Sequence, residues 1–180
     1  MARDTRRTGQ LTALRRGPAR SGRGRCLDVG CGPGFLVRAL QDRGWQAEGV
    51  DLNPGAVQLV RELGAHVLEG TVEDAELPPE SFDAVICWHM LEQVWHPAPF
   101  LKVLRRLVRC DALLFVQVPD FDQLPAYESR GRAAHLLSRV HANFFNAATL
   151  TRLLDRNGWL TRSIFFDTSN GFLTAVAQPS

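Results

Sequence analysis

At 180 residues, 45% hydrophobic, 22% charged and with a formal net charge of +2, the chain has the apolar content for one globular domain and no room for a second. No apolar run approaches the roughly 20 residues that cross a membrane, and the start lacks the apolar segment of a secretory signal. Four cysteines without C-x-x-C spacing do not make a disulfide or zinc framework, so a cytoplasmic protein with reduced, structural thiols is expected.

Residues 1–23 read as a basic extension, in which Arg3, Arg6, Arg7, Arg15, Arg16, Arg20 and Arg23 face only Asp4. Lys102 is the only lysine, a bias that points to a GC-rich genome more than to guanidinium chemistry. From 24 to 180 apolar runs alternate with amphipathic segments, the pattern of a mainly parallel sheet covered on both faces. A strand is predicted at 25–29. The helix at 33–43 turns Leu36, Val37 and Leu40 inward and Arg38, Gln41 and Asp42 outward. A second strand (46–51) and helix (54–63) follow, with Gly44 and Gly64 as stops. Further strands are expected at 66–69 and 82–87, a helix at 98–109 and a central buried strand at 113–118. The segment 120–140 is irregular. A helix at 147–156 precedes strands at 160–167 and 172–177, and Gly171 suits a hairpin that would make the last strand antiparallel.

The most informative stretch is Cys26-Leu-Asp-Val-Gly-Cys-Gly-Pro-Gly-Phe35. Gly30, Gly32 and Gly34 alternate between a strand and a helix, where glycine permits positive φ and close approach of a ligand to the main chain, at a helix N-terminus. The spacing is not the dinucleotide G-x-G-x-x-G, and no Lys-Ser/Thr follows to make a phosphate-binding loop. Asp28, just ahead of the glycines, is wrong for a pyrophosphate and suits a ligand with a cationic amino group.

Leu27-Asp-Val-Gly-Cys-Gly-Pro-Gly34 resembles the first motif of class I S-adenosylmethionine-dependent methyltransferases. Together with the alternating pattern, the resemblance implies an α/β fold: a Rossmann-like three-layer sandwich on a seven-stranded, mainly parallel sheet with an antiparallel last strand. It also implies S-adenosylmethionine as cofactor, with Asp28, Gly30, Cys31, Gly32 and Gly34 around it. Asp51, 23 residues after Asp28 at a strand end, is placed to accept the ribose hydroxyls, with Leu52 on an adenine face; the alternative is a strand-end acid that starts the next helix. After the third strand, Thr71 and the Val72 backbone N–H are assigned to the adenine edge, while Glu73 and Asp74 read as helix-initiating acids.

Cys87-Trp-His-Met-Leu-Glu-Gln-Val-Trp-His-Pro97 is similar to the segment after strand four in the type 11 and type 23 methyltransferase groups, including the ubiquinone-biosynthesis O-methyltransferases. Trp88 would border the methionine moiety. Gln93 stands where that group has histidine and His96 where it has an acid. His89, Glu92 and Gln93 make a poor donor set for a hard cation, so no metal is expected. His141-Ala-Asn-Phe-Phe145 and the helix after it resemble the C-terminal part of type 23 members, which puts His141 near the acceptor. Tyr127 falls in the irregular segment expected to roof the acceptor pocket.

Methyl transfer needs mainly orientation in a dry site. Where the acceptor carries a proton of high pKa, His89, His96 and His141 are the candidate bases. The leading expectation is an enzyme acting on a small-molecule acceptor, at oxygen. Two other readings stay open: an RNA methyltransferase using the basic N-terminus, against which stands the lack of interleaved aromatics, and a binding protein without turnover.

Overall fold

The structure is a computed structural model that describes residues 24–128 and 138–180. The basic extension expected at 1–23 lies outside the described residues. The elements are β1 (Arg25–Val29), α1 (Phe35–Gln41), β2 (Gln46–Asp51), α2 (Pro54–Glu62), β3 (His66–Glu69), β4 (Phe82–Trp88), α3 (Pro97–Leu107), β5 (Val108–Pro119), α4 (Leu124–Glu128), α5 (Ala147–Arg156), β6 (Trp159–Asp167) and β7 (Phe172–Pro179).

The seven strands lie in the order β3-β2-β1-β4-β5-β7-β6. The first five are mutually parallel, and β7 runs antiparallel to both β5 and β6. The α/β expectation therefore holds, including the turn at Gly171, where φ is +70°. The middle place belongs to β4, not to the strand expected there, because the chain winds outward from β1 through β3 and then returns to lay β4 beside β1.

Alternation along the strands builds a core on each face. Cys26, Ala47, Val67, Ala84 and Ile86 face Val37 and Leu40 of α1 and Val57 and Val60 of α2. Leu27, Val85, Leu114 and Val116 face Phe100, Leu101 and Leu104 of α3 and Leu150 and Leu154 of α5. Trp159, wholly buried, also donates its indole N–H to the Leu101 carbonyl at 3.1 Å, tying β6 to α3.

Several boundaries shift from expectation, most by a residue or two, and two of the differences have physical reasons. Helix α1 begins at Phe35 because Gly34 is left-handed at φ +70°. Strand β5 begins at Val108 because a bulge absorbs surplus residues: Phe82 pairs with Val108 and Ala84 with Leu113. Arg109, within the bulge, pairs with Asp83 at 2.5 Å.

Since β2 lies on one side of β1 and β4 on the other, the carboxyl ends of β1 and β4 form the switch point at which open α/β sheets bind ligands. The glycine loop leaves β1 there.

Candidate functional site

The three glycines do three different jobs. A Cβ at Gly34 would lie 2.6 Å from Val60 Cγ2, so this glycine lets α1 pack against α2. At Gly30 a Cβ would come within 2.9 Å of Met90 Sδ, which brings the segment after β4 down onto the loop. A Cβ at Gly32, where φ is +50°, would meet nothing within 4 Å among the described residues. The loop is thus packed at its two ends and open at its centre, where a ligand can reach the main chain.

Asp51 ends β2 beside that opening. Its Oδ2 accepts the Gly32 N–H at 2.7 Å and its Oδ1 the Asn53 N–H at 2.8 Å. Capping of α2 falls to Asn53, whose Oδ1 accepts from Gly55 and Ala56, with Pro54 in the first turn. Asp51 is thereby separated from the helix-starting role, and each carboxylate oxygen keeps acceptor capacity for a ligand. Next to it Leu52 is 64% exposed, a large apolar side chain left on the surface at the mouth of the site.

The turn after β3 is hung on the same place, for the Gly70 N–H donates to the Asp51 carbonyl at 3.0 Å. The Thr71 hydroxyl donates to Asp74 Oδ2 at 2.7 Å and accepts the Asp74 N–H at 3.1 Å, so Asp74 shapes this turn. The Val72 side chain is buried in the core.

Asp28, only 4% exposed, has no hydrogen-bond partner among the described residues. Burial first, and the Asp51 charge second, push its carboxyl up to about 7. A cation placed beside such a buried acid would favour its ionised form. Ile86 is in register with Asp28, and Trp88, two residues on, therefore sits on the same sheet face at the end of β4. The Trp88 Nε1 is buried and has no acceptor among the described residues. Cys31 packs its Sγ beneath the loop against Gly49, and burial raises its thiol to about 12, which keeps it un-ionised near neutrality.

The three histidines are not equivalent. His96 is exposed at the N-cap of α3 and makes no side-chain cap. His141 is half-buried, in the segment whose Ala142 and Asn143 N–H groups donate to the Glu92 carbonyl. His89 follows β4 directly, with its Nδ1 3.3 Å from Glu92 Oε1. The sequence points to Asn53 with Pro54 as a helix start and to Glu92 only as a member of a poor cation donor set, while Met90 carries no signal in it. The Asn-Pro-Gly order signals the cap, whereas the other two depend on a turn whose path the sequence does not show. Tyr127 falls in α4. Among the described residues no group of three or more His, Cys, Asp or Glu side chains is placed to hold a metal ion, and no helix is long and apolar enough to cross a membrane.

These features suit S-adenosylmethionine: an open backbone cradle at Gly32, an acid at the end of β2 for a ribose, an exposed leucine for a purine face, and an unpartnered buried acid for an amino group. The type 23 family of methyltransferase domains matches residues 1–163. A ubiquinone biosynthesis O-methyltransferase of Photobacterium profundum is 35% identical over 151 residues, 77% of this chain and 64% of that protein. The chain thus spans a little under two thirds of such relatives. A protein from Pyrococcus horikoshii superposes with a TM-score of 0.79 at 18% identity, over 97% of this chain and 89% of that one. The 1,6-didemethyltoxoflavin-N1-methyltransferase of Burkholderia thailandensis, solved with 1,6-didemethyltoxoflavin and S-adenosylhomocysteine bound, gives 0.73 at 16% identity, over 98% and 78%. At such identities the structural likeness is one of fold. The sequence match carries the assignment: with residues 1–163 covered, the chain belongs to the type 23 methyltransferase-domain family.

Proposed function

We propose that this chain transfers the methyl group of S-adenosylmethionine to an oxygen of a small-molecule acceptor. The observation that supports it most is the pairing of Asp51 with the open centre of the glycine loop: the acid holds the Gly32 N–H at 2.7 Å, yet among the described residues nothing lies within 4 Å of where a Gly32 Cβ would stand. Asp51 would accept the ribose hydroxyls, Leu52 would cover the purine, Thr71 and the Val72 N–H would meet its edge, and Asp28 would take the amino group, with Trp88 bordering the methionine part. The cofactor supplies an activated methyl carbon and a neutral leaving group.

The protein's task is then to bring the acceptor within roughly 3 to 3.5 Å of that carbon and to keep water away. Oxygen as the acceptor atom is the reading that the curated O-methyltransferase relative favours. The test is incubation with methyl-labelled S-adenosylmethionine and a panel of phenols, carboxylates and tRNA. Label on a phenol or carboxylate oxygen is the expected result; label on tRNA alone would move the acceptor to nucleic acid.

A further inference from the structure

The turn after β4 contains a side-chain pair, His89 and Glu92, to which the proposed function assigns no cofactor contact. His89 has a left-handed backbone, φ +54°, although it is not glycine, a conformation that persists only where its surroundings enforce it. Its N–H donates to the Gln117 carbonyl at 3.0 Å, and its own carbonyl accepts from the Gln93 side-chain amide at 2.6 Å. Its ring meets Phe172 edge-on, with centroids 4.4 Å apart. Phe172 opens β7 opposite Pro119, the last residue of β5, so the imidazole stands over the carboxyl end of the sheet on the side of β4 away from Asp51.

The carboxylate partner of this ring is unusual. The Glu92 side chain is 2% exposed, its Oε1 faces His89 Nδ1 at 3.3 Å, and its buried Oε2 has no partner among the described residues. The His89 side chain keeps 39% exposure, and its Nε2 has no partner among the described residues.

We infer that His89 Nε2 accepts the proton of the acceptor hydroxyl and that Glu92 is the positioning residue that fixes its ring and tautomer. The inference rests on the oxygen-acceptor reading above. An ionised carboxylate only accepts, so the proton of neutral His89 sits on Nδ1 and Nε2 presents a lone pair. As the acceptor oxygen forms its bond to the methyl carbon, the carbon–sulfur pair stays on sulfur and the hydroxyl proton passes to Nε2. The resulting imidazolium is held by Glu92, an arrangement shared in its logic with acid-oriented histidine bases elsewhere.

The test uses the full chain labelled with 15N-histidine, together with turnover of labelled S-adenosylmethionine on phenol, catechol and 4-nitrophenol. Wild type should show the Nδ1–H tautomer at His89, and Glu92→Gln should populate the Nε2–H form, because an amide can donate to Nδ1. Turnover should fall about 10²- to 10⁴-fold, the range typical of a lost general base, in Glu92→Gln and in His89→Asn; asparagine is chosen because it tolerates a left-handed backbone. S-adenosylhomocysteine affinity by calorimetry should stay within about twofold, which also reports folding, and added imidazole should restore part of the His89→Asn rate. An Nε2–H tautomer in wild type, or His89→Asn methylating phenols at the wild-type rate, overturns the inference while sparing the proposed function. A wild-type chain that binds S-adenosylhomocysteine but methylates none of the phenols overturns both.

Discussion

Replacing Asp51 by alanine separates the ribose role from a merely structural one. In the structure its carboxylate already accepts two backbone N–H groups, from Gly32 at 2.7 Å and Asn53 at 2.8 Å. The substitution therefore removes two things: the ties that hold the loop to β2, and the acceptors a ribose would meet. Hydrogen bonds to a charged group contribute about 1.5 to 3 kcal/mol, so loss of the ribose contact alone predicts a Kd for S-adenosylhomocysteine raised about 10- to 150-fold. Loosening of the loop would weaken every ligand alike. Calorimetry with S-adenosylhomocysteine and with its 2′,3′-dideoxy analogue distinguishes the two, because an analogue without ribose hydroxyls should bind wild type and Asp51→Ala with nearly equal affinity. An equal loss for both ligands would refute ribose recognition by Asp51 and leave it as a loop tie. Unchanged affinity for S-adenosylhomocysteine in a folded Asp51→Ala variant would falsify the site assignment altogether.

Asp28, pushed up to about 7 from 3.8, should release a proton when a cationic amino group binds beside it, so affinity for S-adenosylhomocysteine should rise between about pH 5 and 7 and level off above; a flat profile refutes this, and Asp28→Asn should flatten it. For folding the sign is opposite. The folded chain binds this proton more tightly than the unfolded one, so Asp28 costs nothing below about pH 4, lowers stability progressively to about pH 7, and exerts its full cost above; denaturant titrations of Asp28→Asn should lose that fall. Gly32→Ala adds a methyl to open space at φ +50°; it should cost about 1 to 2 kcal/mol of stability but more than tenfold in ligand affinity. Gly34→Ala drives a Cβ into Val60 and should lose about 2 to 4 kcal/mol of stability, which thermal unfolding would show. Turnover should survive EDTA without added magnesium; activity abolished by the chelator and restored by the metal would show a metal requirement.

What the sequence disclosed, and what it hid, follows from how far each feature depends on long-range packing. The ends of β1, β2 and β3 were readable because apolar runs stopping at Val29, Asp51 and Glu69 are local signals, and the antiparallel β7 followed from the turn at Gly171. The true start of β5 was not, since Val108-Arg-Cys-Asp111 looks polar and becomes strand only because β4 offers edge groups across a bulge and Asp83 receives Arg109. Within the site, the spacing of Gly30, Gly32 and Gly34 marked a ligand loop, but only the distances from Val60 and Met90 reveal that Gly32 alone is kept open.

The turn after β4 was the least legible, because φ +54° at His89 is uncommon for any residue but glycine and is held by contacts from outside the turn's own signal, with Gln117, Gln93 and Phe172. Gln93, read from the sequence as the loss of a histidine, makes a positive contribution there: its amide donates to the carbonyl of His89 at 2.6 Å. A departure from a family pattern thus changes meaning once the backbone it supports is known. It follows that restoring histidine by Gln93→His should not create a metal site but should relax the His89 turn, observable as a change in the His89 ring signals and a lower rate with S-adenosylhomocysteine affinity intact. A variant with unchanged His89 signals would show that the backbone at His89 is held without Gln93.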